Sequence, residues 1–156
     1  MSHERIDAGR RPVLVVEDSD DDFDTVVEAA GRAHVINRLV RAADADIAEG
    51  LLALSPIGHF AFMLLDSNLR GVDGLALLRQ VRSNPLLATM PAVIYTTSVN
   101  PRDRDAFYDA GANAYHVKGV QHGECLHMLE SIFDYWLHRV VLPGVASRAS
   151  SAGAAP

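Results

Sequence analysis

Four short apolar runs in this sequence are each followed by, or end in, a polar side chain that can take part in chemistry. Glu17 and Asp18 follow the first run, Asp66 follows the run 60–65, Thr96 follows the run 92–95, and Lys118 follows the run 115–117. If these runs are parallel strands of one sheet, their carboxyl ends meet at one edge. We therefore expect the five side chains to converge at a single site.

The residue types at that edge favour phosphoryl transfer. Carboxylates held close together repel one another, and one pKa rises unless a cation neutralises them. A hard divalent ion, Mg²⁺ for preference, suits such oxygen ligands because it keeps several waters and needs few protein carboxylates. One carboxylate can then attack a phosphoryl group, while a lysine and a threonine hydroxyl share the charge on the phosphoryl oxygens.

The segments between the apolar runs have a helical period, so strands and helices should alternate. We predict strands over 13–16, 35–40, 60–65, 92–95 and 115–117, and helices over 21–32, 43–54, 74–83, 101–110 and 122–138. Continuous apolar strands separated by helices of this length indicate a parallel sheet that is covered on both faces. The expected fold class is α/β, a doubly wound five-stranded parallel sheet.

Composition narrows the class of protein. The net charge is −6 and the isoelectric point is near 5.5, which does not support a nucleic-acid-binding face. The single cysteine, Cys125, cannot form an internal disulfide, which fits a reducing cytoplasm. Neither a signal peptide nor a membrane-length apolar run is evident. We expect a flexible N-terminus over 1–11, one domain over 12–142 and a disordered tail over 143–156.

The ordered segments VLVVEDSDDD, FMLLDSNLRGVDG, PAVIYTTS and ANAYHVKG resemble the receiver domain of bacterial response regulators, over nearly the whole structured chain. The resemblance implies a flavodoxin-like fold with strand order 2-1-3-4-5 and a signalling protein rather than an enzyme. It also implies roles for individual residues: Asp66 as phosphoacceptor; Glu17, Asp18, Asp66 and the backbone carbonyl of Asn68 as Mg²⁺ ligands; Thr96 and Lys118 as phosphoryl contacts; and Thr96 with Tyr115 as the switch.

Two further segments are similar to small stand-alone receivers that partner bacteriophytochrome histidine kinases. These segments are VIYTTSVNPRDRDAFYDAGANAY and FDYWLHRVVLPG. The similarity implies a sensor histidine kinase of the phytochrome class as phosphoryl donor. Output would then pass through protein contacts or to a downstream phosphotransfer protein, since no output domain follows residue 142 in this sequence.

Apolar character continues beyond the length that a helix needs to cover the sheet. The residues concerned are Trp136, Leu137, Val140, Val141 and Leu142. Contiguous exposed apolar surface commonly marks an interface. We therefore expect a homodimer through this end of the chain.

Two departures from the family pattern leave open functions other than phosphorylation-dependent signalling. Gly119 stands where proline usually follows the lysine, and Arg70 stands at another common proline position. A degenerate receiver acting as a dimeric adapter is the main alternative. A phosphohydrolase is disfavoured because Asn68 cannot act as a general acid. The acids Asp20 to Asp22 are interpreted as a solvated first helical turn, and Asp73 as a helix cap.

Overall fold

A five-stranded parallel sheet forms the centre of the protein in a computed structural model that describes residues 10–69 and 73–144. The strands are β1 (Val13–Val16), β2 (Leu39–Ala42), β3 (Met63–Leu65), β4 (Ala92–Thr96) and β5 (Ala114–Val117). The helices are α1 (Asp20–Arg32), α2 (Ala45–Leu54), α3 (Gly74–Ser83), α4 (Pro101–Asp109) and α5 (His122–Asp134), and a π-helical segment, Tyr135–Arg139, continues α5. The strand order β2-β1-β3-β4-β5 confirms the predicted doubly wound fold.

Burial on both faces of the sheet explains the continuous apolar strands. Leu14 and Val16 contribute to the core on one face, whereas Val13 and Val15 contribute to the core on the other. All four are at most 1% exposed. Successive side chains of a strand point to opposite faces, so a strand covered on both sides needs apolar residues throughout.

Side-chain caps begin four of the five helices directly after the strand-end loops. Ser19, Asp44, Asp73 and Asn100 each accept a hydrogen bond from a backbone N–H in the first turn of the following helix. These caps satisfy backbone donors that have no partner inside the helix. The predicted capping role of Asp73 is confirmed, since its carboxylate accepts from the N–H of Leu75 at 3.0 Å.

The predicted second strand over 35–40 is wrong in position. The end of α1 closes with a hydrogen bond from the N–H of Val35 to the carbonyl of Ala30, and His34 has a positive φ of 56°. This turn delays the extended backbone until Leu39, which pairs with Val13 of β1. The strand predicted from residue 60 begins instead at Met63, although the three preceding residues are buried.

The last helix also differs from the prediction, because α-helical geometry ends at Asp134 and the π-helical segment follows. The predicted flexible segments lie mostly outside the described residues, as does Arg70. Arg11, at the described start of the chain, donates to the carbonyls of Phe60 and Pro143 at 2.9 Å. Within residues 10–69 and 73–144, no helix is both long enough and apolar enough to cross a membrane.

Arg82 fastens the amino ends of β4 and β5, opposite the edge where the predicted site lies. Its guanidinium donates to the carbonyls of Gly111 and Met90 at 2.9 and 2.7 Å, and to the side-chain oxygen of Asn113 at 2.9 Å. The same Asn113 oxygen accepts from the N–H of Ala92. Because the planar guanidinium binds several acceptors at once, it fixes the position of the first residues of the edge strand β5.

Replacing Arg82 with alanine should lower the free energy of unfolding by about 2 kcal/mol, because its backbone and side-chain acceptors lose a charged donor. Urea denaturation would measure this change. Arg79→Ala is the matched control, since Arg79 is exposed on the same helix, and it should change stability by less than about 0.5 kcal/mol. Equal stability of the two variants would contradict the fastening role.

Candidate functional site

The carboxyl ends of β1, β3, β4 and β5 bring four of the predicted residues together. Glu17, Asp66 and Thr96 are 3%, 8% and 0% exposed, and the Lys118 side chain is 7% exposed. Burial of charged groups is costly unless they are paired. The arrangement therefore concentrates opposite charges in a confined volume at the sheet edge.

The ammonium of Lys118 lies among three carboxylates. Its Nζ donates to Oδ2 of Asp22 at 2.8 Å, to Oε1 of Glu17 at 3.1 Å and to Oδ2 of Asp66 at 3.3 Å. It also lies 5.2 Å from the ring centroid of Tyr95, within the range of a cation–π interaction. One lysine thus connects β5 with β1, β3 and the first turn of α1.

The electrostatics of the cluster show that negative charge is in excess. Burial raises the pKa of the Glu17 carboxyl to about 7, although the Lys118 ammonium opposes part of this rise and Asp66 adds to it. Burial lowers the pKa of Lys118, but the hydrogen bond to Asp22 and the charges of the surrounding carboxylates outweigh it, so the net pKa is raised. A further cation would relieve the remaining repulsion.

The donor set fits a hard divalent cation. Carboxylate oxygens of Glu17, Asp22 and Asp66 all lie within 4.8 Å of one another. Oxygen ligands of this kind suit Mg²⁺. Asp18 lies next to Glu17 and is half-buried, but it does not belong to this group of three. The N–H of Asn68 donates to Oδ1 of Asp66 at 3.0 Å, and the role of its carbonyl stays a prediction.

The two predicted switch residues meet at one loop. The hydroxyl of Thr96 accepts from the N–H of Ser98 at 3.2 Å and is hydrogen-bonded to the hydroxyl of Ser67. The hydroxyl of Tyr115 donates to the carbonyl of Ser98 at 3.0 Å. Thr96 therefore connects the residue after Asp66 with a loop that Tyr115 also holds.

The sequence interpretation missed three residues around the site. Asp22 lies in the first helical turn and is 45% exposed, as a solvated helix residue would be, but it also makes the shortest contact with Lys118, which the sequence did not indicate. Ser67 was not singled out, although it follows Asp66. Arg41, at the end of β2, donates to the carbonyl of Glu17 at 3.0 Å and holds Asp20 at 2.6 Å. The sequence feature that could have indicated Asp22 is its position three residues after the cap residue Ser19.

Comparison with known proteins shows the family of the chain. The family model described as the response regulator receiver domain matches residues 13–130. The chain belongs to this family. The strand order of this receiver is the one that the resemblance implied, whereas its acidic cluster contains Asp22 in place of Asp18.

Relatives of this receiver include proteins that are named for phytochrome signalling. It is 32% identical over 140 residues to the response regulator Rcp1 of Synechocystis sp., covering 84% of this chain and 92% of that protein. The crystal structure of the Mn²⁺-bound form of Rcp1 has a TM-score of 0.80 at 30% identity, covering 86% of this chain and 99% of that one. The phosphorylated cyanobacterial phytochrome response regulator RcpA has a TM-score of 0.81 at 27% identity, with the same coverage.

Gly119 has a specific steric role in this receiver. The peptide bond from Lys118 to Gly119 is trans. A Cβ atom on Gly119 would lie 2.6 Å from Cβ of Glu124, in the first turn of α5. The Gly119 carbonyl accepts from the thiol of Cys125 at 3.2 Å, and the N–H of Lys118 donates to the carbonyl of Thr96 at 2.6 Å. Close approach to α5 therefore requires glycine after the lysine.

Gly119→Ala should lower the free energy of unfolding by about 1–3 kcal/mol, because the new methyl group would overlap the Glu124 side chain near its backbone. Chemical denaturation would measure the loss. Gly123→Ala provides the matched control, since a Cβ there meets nothing within 4 Å. It should be neutral or stabilise α5 by up to about 1 kcal/mol. Equal stability of Gly119→Ala and wild-type protein would show that the loop accommodates a side chain.

Proposed function

We propose that this chain is a response-regulator receiver that accepts a phosphoryl group from a sensor histidine kinase onto Asp66, with Mg²⁺ as cofactor. One observation carries the proposal. A buried Asp66 carboxylate has its Oδ2 atom 3.3 Å from the Lys118 ammonium, within a group of carboxylates that fits a hard cation. Membership of the receiver family supports the same chemistry.

In the proposed reaction, an oxygen of Asp66 forms a bond to phosphorus while the phosphorus–nitrogen bond to the kinase histidine breaks. The imidazole leaves with that electron pair and takes up a proton. Glu17, Asp18, Asp66 and the carbonyl of Asn68 would hold Mg²⁺, as the family resemblance implies, while Asp22 is engaged with Lys118. The cation would supply positive charge near the transferred group. The Lys118 ammonium and the Thr96 hydroxyl would contact the phosphoryl oxygens. The product is an aspartyl phosphate.

The switch is proposed to begin at Thr96. Its hydroxyl is engaged with Ser67 and with the N–H of Ser98. A phosphoryl group that recruits this hydroxyl would compete with both contacts, and the Ser98 loop would repack together with Tyr115. The Ser98 loop would then have two arrangements, one before and one after phosphorylation. A phosphoryl group shifts the equilibrium between them by its stronger interaction with one, and the new hydrogen bond at Thr96 provides that difference.

A phytochrome is the proposed kinase class, because Rcp1 and RcpA are similar over most of this chain and RcpA is a phytochrome response regulator. Output is proposed to pass through protein contacts or to a downstream phosphotransfer protein, within the cytoplasm. No catalytic activity is proposed beyond self-catalysed phosphotransfer and autodephosphorylation.

Phosphotransfer from candidate histidine kinases to wild-type protein and to Asp66→Asn tests the proposal. Wild-type protein should become labelled and the variant should not, because an amide is not a nucleophile of this kind. Asp109→Asn, a change of the same type at an exposed position on α4, should be labelled like wild type. Equal labelling of wild type and Asp66→Asn would refute the assignment.

The alternative function, a dimeric adapter, requires the same homodimer as the proposed response regulator but does not require phosphorylation. Trp136, Leu137 and Leu142 are partly buried against the core of this chain, so they do not all extend beyond the sheet as expected. Val141 is 99% exposed, and the neighbouring Tyr135 is 53% exposed. We propose that the C-terminal segment formed by these residues and Val140 makes a homodimer contact.

Val141→Asp should shift the protein towards monomer, because a charge would be buried at the proposed contact. Sedimentation velocity over a range of concentrations would measure the shift. Leu54→Asp, at an 89% exposed position on α2, is the matched control and should leave the mass unchanged. A monomer mass for wild type at every concentration would remove the dimer from the proposal.

A further inference from the structure

The closest partner of the Lys118 ammonium is Asp22 rather than the proposed phosphoacceptor. The distance from Nζ is 2.8 Å to Asp22 and 3.3 Å to Asp66. The two carboxylates belong to different elements, since Asp22 lies in the first turn of α1 and Asp66 follows β3. The ammonium therefore lies between two competing acceptors.

The backbone of Asp22 takes part in the capping of α1. Its backbone N–H donates to the hydroxyl of the cap residue Ser19 at 3.2 Å. Its side chain is 45% exposed, whereas those of Glu17 and Asp66 are 3% and 9% exposed. Asp22 is thus a partly exposed carboxylate in the first turn of α1, in contact with the Lys118 ammonium.

We propose that Asp22 is a positioning residue that competes with the phosphoryl group for Lys118, an inference that rests on the proposed phosphorylation of Asp66. In the phosphorylated protein, Glu17 and Asp66 would be engaged by the cation and the phosphoryl group. Asp22 would keep a charge that attracts the ammonium away from the phosphoryl oxygens. The contact holds Lys118 in the unphosphorylated arrangement and weakens its hold on the phosphoryl group.

Affinity for beryllofluoride, a non-hydrolysing mimic of the phosphoryl group, tests the competition. Calorimetric titration at saturating Mg²⁺ would compare wild-type protein with Asp22→Asn and Asp21→Asn. Asp22→Asn removes charge with little change of size and should bind about threefold to fivefold more tightly, the effect expected for one partly exposed ion pair. Asp21 is exposed on the same helical turn, so its variant controls for the general loss of one negative charge.

A second measurement addresses the contact itself without metal or phosphoryl mimic. In metal-free wild-type protein, the ammonium protons of Lys118 should exchange slowly with solvent in NMR spectra, because they are buried and hydrogen-bonded. Asp22→Asn should accelerate this exchange severalfold, whereas Asp21→Asn should not. A residue that only supported the fold of α1 would not produce this difference.

The outcomes separate this inference from the proposed function. Equal beryllofluoride affinity in the two variants would overturn the competition. Weaker affinity in Asp22→Asn, accompanied by weaker Mg²⁺ binding, would also overturn it and would make Asp22 a metal ligand. Wild-type protein that takes up no beryllofluoride in Mg²⁺ would overturn the proposed function and this inference with it.

Discussion

The buried ammonium of Lys118 is the interaction on which the rest of the site depends. Glu17 and Asp66 lie at the ends of adjacent strands and are almost entirely removed from solvent. Two carboxylates in that position repel each other, and neither has enough water to compensate. Lys118 offsets this repulsion, and removal of one member of such a buried set typically costs about 3–5 kcal/mol because the remaining charges are left unpaired. Lys118 therefore stabilises the folded site as well as having a proposed role in phosphoryl transfer.

The edge strand that carries Lys118 is held at both ends. At its amino end, Arg82 donates hydrogen bonds to acceptors in the turns before β4 and β5. At its carboxyl end, the Gly119 carbonyl accepts from Cys125, and the absence of a side chain on Gly119 allows the backbone to approach α5. A proline at residue 119 is not needed to place the lysine, because contacts with α5 provide the constraint. These contacts connect the C-terminal helix α5 with the loop that carries Lys118.

The parts of the fold that sequence predicts well are those governed by burial. The fully buried strand β1 was predicted with its observed bounds, since four apolar residues in succession fit a strand covered on both faces. β2 was misplaced because its position depends on the turn at His34 and on pairing with β1, which no local pattern encodes. Glu17, Asp66, Thr96 and Lys118 were found because each stands at a strand end. Asp22 and Ser67 reach the site through a helix cap and a loop, so strand periodicity gave no indication of them.

We propose that the cluster of carboxylates around Lys118 makes Asp66 reactive towards phosphoryl groups. Intact-mass analysis after incubation with acetyl phosphate and Mg²⁺ tests it most directly, because no kinase has to be identified. Wild-type protein should gain one phosphoryl group, the gain should require Mg²⁺, and peptide analysis should map the group to Asp66. No gain in mass, or a phosphoryl group that maps to another residue, would contradict it.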